Sequence, residues 1–300
     1  MDLETIGDFE DPRLADYRNL KDATLATRRG RFIVEGRGVL RVLLTRSAYR
    51  PESILLNRRS FEALEADLER AAPGCPIYVA PQPVLDRVVG FPIHRGCLAA
   101  CSRSANRGEA EADDPIALAE RVRRRFEAPR ILVLEGLANL DNVGLVFRNA
   151  MALGGRAVLL CPRCCDPLYR KAIRTSMGGT LCVPFARTRN LPELLAGLRA
   201  SGFEILALDP GAESVSLSSL DAGALGPTAL LLGTEGAGLS REALAGADRR
   251  VRIEMEPGVD SLNVGVAAGI ALSRLRVEGR SSIGFAGGAA GAGMEGGRQA

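Results

Sequence analysis

The sequence predicts an α/β protein built on a mostly parallel sheet. Three observations carry that expectation. Five runs in the second half, Arg130–Leu134, Ala157–Cys161, Phe203–Leu208, Thr228–Leu232 and Arg250–Met255, are continuously apolar and do not alternate with polar residues. That pattern belongs to strands buried on both faces. Helical patterns separate them, at Asn142–Leu153, Pro167–Thr175, Leu191–Ala200 and Arg241–Ala245, and a last one, Leu262–Arg276, closes the series. Strands alternating with helices in this way build a sheet covered by helices. Finally, glycine and polar residues gather where the strand-like runs end, the place where α/β sheets carry ligands.

The first half reads as shorter α/β units. Arg31–Glu35 is a strand-like run followed by a helix-like Gly36–Leu44, and Ser53–Leu56 is a second strand. Ser60–Ala71 is a helix with Phe61, Leu64 and Leu68 on one stripe. Pro76–Ala80 and Gly96–Cys101 supply two more strands. Ser102–Pro115 is polar and charged without an apolar anchor, which marks a linker. The expected division is an acidic, flexible 1–11, a first α/β domain over 12–102, a linker and connecting helix over 103–127, a second domain over 128–278, and a disordered Gly/Ala-rich tail over 279–300. No internal repeat at a period of 20–50 residues is visible.

Composition narrows the function classes. A chain of 300 residues with 46% hydrophobic and 25% charged residues suits two globular domains. No run approaches the roughly 18–20 apolar residues of a membrane span. The N-terminus lacks the basic flank and apolar stretch of a signal peptide, so a cytoplasmic location without membrane contact is expected. Seven cysteines and one histidine, His94, supply neither a disulfide framework nor four zinc ligands. Cys161, Cys164 and Cys165 read as small buried thiols, and no metal is expected. The net charge of +3 hides an uneven distribution, since residues 12–59 hold twelve bases against four acids. Of 39 basic residues, 37 are arginine, whose planar fork of donors suits phosphate and base edges. The basic stretch is a candidate footprint for an anionic polymer.

Three segments carry the chemistry. In Leu137–Ala150, at a strand-to-helix junction, Asp141 or Asn142 can cap the helix. Arg148 follows Asn142 by six residues, which is about 120° around a helix, so the two share a site only if Asn142 precedes the first full turn. In Leu231–Ser240 three glycines follow a buried strand, which lets the backbone approach a ligand. The spacing is neither G-x-G-x-x-G nor a P-loop. In Ile253–Ala268 an acidic Gly/Pro loop leads into a helix, with Ser261 as candidate cap and a polar Asn263 among small apolar residues.

Together these segments resemble the signature set of the SpoU (TrmH) family of SPOUT-class RNA methyltransferases. N-x-G-x-x-x-R-x-A lies at Asn142–Ala150, L-G-T-E-G-x-G at Leu232–Gly238, and S-L-N-V-x-x-A-A at Ser261–Ala268, in the family's order and spacing. The stretch from Asp166 to Gly178 is similar to the family's connection between the first two motifs. This resemblance covers residues 128–276. Arg31-Phe-Ile-Val-Glu-Gly36 is similar to the start of the family's N-terminal substrate-binding domain, over roughly residues 12–102.

The resemblance implies an S-adenosyl-methionine (AdoMet)-dependent methyltransferase that modifies a ribose 2′-hydroxyl in tRNA or rRNA. It also implies a C-terminal trefoil knot and a homodimer. By the resemblance, Leu232, Gly233, Thr234, Gly238, Ile253, Met255 and Leu262 hold the cofactor, while Asn142, Arg148, Glu235, Ser261 and Asn263 form the catalytic set. Glu235 is expected to orient Arg148 or Asn142, with Ser261 and Asn263 fixing the RNA or the cofactor carboxylate. The basic residues Arg28, Arg29, Arg31, Arg37 and Arg174 are the expected RNA contacts. In the family Arg148 would activate the hydroxyl. A guanidinium stays protonated at pKa above about 12, so its other role is to clamp the phosphate beside the target ribose and stabilise developing negative charge.

The chain departs from the family at one point: Glu254 stands where a proline commonly follows Ile253, and Glu256 adds a second acid near the cofactor loop. Two alternatives stand beside the ribose reading. One is a SPOUT methyltransferase acting on a base nitrogen, and the other is a non-catalytic RNA-binding factor on the same scaffold. A dinucleotide oxidoreductase is excluded, because no acidic residue follows the Gly loop at ribose-binding distance.

Overall fold

The computed structural model describes residues 2–18, 30–93, 96–104 and 110–276. The expectations for Arg28, Arg29, His94 and the 279–300 tail lie outside these residues. The chain forms two sheets, the first with strand order β1-β4-β3-β5-β2. Its strands are β1 Leu3–Thr5, β2 Arg31–Glu35, β3 Pro51–Leu56, β4 Ile77–Val79 and β5 Cys97–Ser102. β1, β4 and β3 run parallel, while β5 pairs antiparallel with β3 and β2.

Among the described residues three α-helices accompany this sheet. α1 (Arg37–Arg46) buries Val39, Leu40, Leu43 and Leu44. α2 (Arg58–Ala71) is capped by Asn57, whose side chain accepts from the Ser60 N–H, and buries the expected Phe61, Leu64 and Leu68. α3 (Gln82–Val89) stops at Gly90, whose φ of 78° is easily reached without a side chain. The acidic N-terminus, expected to be flexible, carries the edge strand of this sheet. β1 pairs Leu3 with Ile77 and Thr5 with Val79, and Ile6 is buried. A strand of three residues has too short a period to read, and its partner is more than seventy positions away.

The second sheet has eight strands in the order β11-β13-β10-β12-β7-β8-β9-β6, and every pair is parallel. The elements follow as β6 Glu111–Ala112, α4 Pro115–Arg125, β7 Arg130–Leu134, α5 Leu140–Leu153, β8 Gly155–Leu160, α6 Arg170–Thr175, α7 Gly179–Cys182, β9 Phe185–Arg187 and α8 Leu191–Ala200. Then come β10 Glu204–Leu208, β11 Val215–Ser216, β12 Thr228–Leu232, α9 Arg241–Ala245, β13 Arg249–Arg252 and α10 Val264–Arg274. The central strands β7 and β12 are buried at every residue, as their apolar runs predicted. Buried Arg130 opens β7 and donates to the carbonyls of Ala128, Ala222, Gly226 and Leu275, which ties the strand to the end of α10.

Within 103–127, expected as a linker and connecting helix, the described residues form two ordered elements. β6 adds to the sheet edge beside β9, and α4 buries Leu118, Ala119 and Val122. Its charges read as solvated because their partners are remote: Arg103 bonds both Glu111 and Asp166 at 2.6 Å. One apolar cluster also runs through both sheets, joining Phe32 and Val39 to Ile173 and Leu181. At the junction the Ser47 hydroxyl donates to the Leu181 carbonyl at 3.0 Å, and buried Glu35 receives Arg170 and Arg174. Gly178, at φ 85°, lies so close to Val42 that a Cβ there would fall 2.8 Å from its Cγ1. Among the described residues no helix is long and apolar enough to cross a membrane.

Candidate active site

The strand order reverses about β7, and the crevice outside the carboxyl ends of such a sheet is where ligands bind in open α/β folds. A pocket of about 410 Å³ lies there, at the ends of β10, β12 and β13. All seven residues expected to hold a cofactor line it: Leu232, Gly233, Thr234, Gly238, Ile253, Met255 and Leu262. Glu235 and Ser261 line it as well. Sequence reasoning missed Pro210 and the charged Asp209, Arg252 and Asp260, which also line it. The available signal for Asp209-Pro210 was its place directly after a buried strand.

The glycine-rich loop is shaped by its own backbone. Thr234 and Gly238 exchange N–H···O bonds of 3.1 and 3.0 Å, so the loop closes as a small hairpin. Gly236 and Gly238 turn it at φ 86° and 68°. At Gly233 a Cβ would fall 2.4 Å from the Gly238 carbonyl carbon, so only glycine lets the two arms meet. Behind the loop, buried Glu135 at the end of β7 accepts from the Ser240 N–H at 2.9 Å.

The third motif meets the first through one side chain. Asn263 Nδ2 donates to Asn142 Oδ1 and to Glu235 Oε1, both at 2.9 Å. Its Oδ1 accepts from the Gly265 and Val266 N–H groups, so Asn263 is the N-cap of α10. This corrects two expectations: Ser261 is not the cap, and Asn263 is not inside the helix. Glu235 is linked to Asn142 through Asn263. Asn139, not Asp141 or Asn142, caps α5. Asn142 therefore lies within the helix and is buried, whereas Arg148 stands on its exposed side.

Asn142, Glu235 and Asn263 form one hydrogen-bonded set, with Ser261 close by in the chain. Arg148 is not brought into it, is not among the pocket-lining residues, and makes no ion pair or hydrogen bond with another described residue. Asn149, its neighbour, donates to the Gly265 carbonyl at 2.6 Å and fastens α5 to α10. Gly144 packs α5 on α6, since a Cβ there would fall 2.9 Å from the Ala172 carbonyl oxygen.

Charges around the site are settled locally. A hydrogen bond from Lys171, helped by Thr175, holds the Asp141 carboxyl below its ordinary range. The Ser216 hydroxyl does the same for Glu254, the residue that replaces the family's proline. Burial pushes the Cys161 thiol up to about 12 and Cys165 up to about 11, as expected of structural thiols. No group of three or more metal-ligating side chains occurs among the described residues. Of the expected RNA contacts, Arg31 is paired with Asp16 and Glu52, and Arg174 with Glu35, while Arg37 has no acidic partner among the described residues.

A doubly wound α/β domain with a ligand crevice built from three strand-end loops defines the class. Residues 129–273 match the model of the SpoU rRNA Methylase family. An uncharacterized tRNA/rRNA methyltransferase of Mycobacterium tuberculosis is 39% identical over 276 residues, covering 90% of this chain and 91% of that protein. Among solved structures, an AdoMet-bound rRNA methyltransferase from Sinorhizobium meliloti is similar at a TM-score of 0.71 and 22% identity, covering 91% of this chain and 97% of that one. An RNA 2′-O ribose methyltransferase is similar at 0.69 and 24% identity, covering 91% and 98%. The chain belongs to the SpoU family of methyltransferases.

Proposed function

We propose that this protein is an AdoMet-dependent tRNA/rRNA methyltransferase and that its target atom is a ribose 2′-hydroxyl. The observation that carries the reading is the convergence of three sequence motifs, distant in the chain, on one crevice and one hydrogen-bonded set. The crevice fits AdoMet chemically. Its wall combines apolar Leu232, Ile253 and Leu262 with the main chain of the glycine loop, suited to an adenine ring. Arg252 offers a partner for a carboxylate, and Asp209, Glu235 and Asp260 offer acceptors for hydroxyl and ammonium groups. When bound, AdoMet supplies an activated methyl group that already carries its leaving group.

The residues of this chain supply position and electrostatics. Asn263 fixes the glycine loop against α5, so the first and second motifs are held in one geometry before substrate arrives. Arg148, exposed and without an ion-pair partner among the described residues, takes a phosphate of the RNA beside the target ribose and stabilises negative charge on the 2′-oxygen as its proton passes to solvent and the methyl leaves the sulfonium. The same fold family implies a trefoil knot in the C-terminal segment and a homodimer. Val266 and Ile270 on α10 are 50% and 40% exposed, an apolar pair that supports pairing of two copies. The division into an RNA-binding unit over 12–102 and a methyltransferase unit over 128–278 is part of this reading.

Arg148→Ala is expected to lower kcat by about 10²–10³, the loss typical of one electrostatic stabiliser, with AdoMet affinity unchanged by calorimetry. Substantial turnover of the variant at saturating RNA would remove Arg148 from the catalytic set. Mass spectrometry of digested RNA is expected to locate the methyl on the sugar, and a methylated base nitrogen would replace the ribose assignment.

A further inference from the structure

The first sheet carries a second pocket, of about 350 Å³, where the starts of α1 and α2 face the segment after α3. Arg37, Arg59, Asn57, Gln82, Asp86 and Ile93 are among its walls. One side is a closed amide chain. Asn57 Nδ2 donates to Gln82 Oε1 at 2.7 Å, and Gln82 Nε2 donates to Asp86 Oδ1 at 2.7 Å and to the Ile93 carbonyl at 2.9 Å. The Ile93 N–H also donates to Asp86 Oδ1, at 2.8 Å, and Asn57 Oδ1 is taken by the Ser60 N–H. Gly96 makes room for this chain: at φ 46° its Cβ would fall 2.1 Å from Asn57 Nδ2.

The amides thus bond one another, and among the described residues three charged groups remain for a ligand. Arg37 and Arg59 make no ion pair or hydrogen bond with any described residue, and Asp86 Oδ2 likewise accepts from none. Both arginines lie in the first turn of a helix, where the helix dipole adds positive potential. Two free guanidinium forks select phosphate. A free carboxylate oxygen a short way off selects an N–H donor, which an anion alone lacks. A nucleotide has both features, and the pocket volume lies in the range of small-ligand sites. Guanine presents N1–H and N2–H side by side on one edge, and the two lone pairs of one carboxylate oxygen can accept from both. RNA-binding proteins read such unpaired, splayed-out bases.

We propose that this pocket holds one unpaired nucleotide of the RNA substrate, guanosine by preference, at a position other than the methylated one. Arg37 and Arg59 take its phosphate, and Asp86 accepts from its base. The inference rests on the reading that the chain acts on RNA.

Filter binding of the full-length protein to total tRNA and rRNA from cells lacking its gene tests it. Arg37→Ala and Arg59→Ala should each weaken binding by about fivefold or more and each reduce the slope of log Kd against log salt by about one. Arg→Lys at either position should restore part of the affinity. Asp86→Asn keeps the Oδ1 acceptor but turns a donor outward. GMP should compete for RNA better than AMP, CMP or UMP against the wild type, and should lose that advantage against this variant. RNA affinity at the wild-type level in both alanine variants, with unchanged melting temperature, overturns the proposal. GMP binding lost in the variants while RNA binding persists also overturns it, by making this a free-nucleotide site. AdoMet titration alongside separates the two readings. Normal RNA and AdoMet binding without methyl transfer counts against the proposed activity alone, and absence of RNA binding by the wild type counts against both.

Discussion

Asn263 joins two energetic roles in one side chain. Its oxygen caps α10, and its amide nitrogen bridges Asn142 and Glu235 at 2.9 Å each. Loss of an N-cap costs about 1 kcal/mol, and a buried polar group left without its partner costs about 1–3 kcal/mol more. Asn142 is that group, at 4% exposure. Asn263→Ala should therefore destabilise the protein by about 2–4 kcal/mol and also abolish methyl transfer, measured by thermal unfolding and by methyl incorporation. A variant that melts like the wild type would show that the bridge contributes nothing to the fold. The sequence displayed Asn263 as a polar oddity in an apolar helix. Its caps and partners depend on where the helix starts and on residues 121 and 28 positions away, which no local pattern reports.

At the scale of elements, the glycine loop between β12 and α9 shows why a motif needs its residue types. The loop returns on itself within five residues, and the Thr234–Gly238 pairing leaves no volume for a side chain at Gly233. Gly233→Ala places a methyl 2.4 Å from backbone atoms, which cannot swing aside as a flexible side chain does. The loop must open, and AdoMet binding is expected to weaken by about tenfold, equivalent to about 1.4 kcal/mol. Calorimetric titration measures it, and wild-type affinity would detach the loop from cofactor binding. Long elements were legible in sequence: β2, β7, β12, α8 and α9 fall where periodicity and apolar runs placed them. Of the short ones only β4 was, inside the expected Pro76–Ala80. β1, β6, β9 and β11 span two or three residues each and exist because a partner strand supplies their hydrogen bonds.

For the molecule as a whole, the boundary between the two sheets is bonded, not hinged. Phe32 and Val39 share an apolar cluster with Ile173 and Leu181, and Glu35 is 7% exposed between Arg170 and Arg174. Two domains with separate cores would melt separately. Here scanning calorimetry is expected to give one transition, and two resolved transitions would show that the shared cluster does not couple the sheets. The same junction explains why Arg174, a candidate RNA contact by composition, faces an acid within its own chain.

The sequence by itself determined the α/β class, the three motifs and the family, because buried parallel strands are continuously apolar and each motif is local. The seven residues that the family resemblance assigned to the cofactor also lie along one pocket, since each motif is a local strand-end loop. Only the tertiary structure decided which polar side chains meet. Asn142, Glu235 and Asn263 come together while Arg148 remains apart, because position along a helix fixes the direction a side chain takes. The arginine count could not say which cations are free. Arg31, Arg103 and Arg174 are spent on acids elsewhere in the sequence, whereas Arg37 and Arg59 pair with no acid among the described residues, because pairing is set by spatial neighbours that composition does not contain.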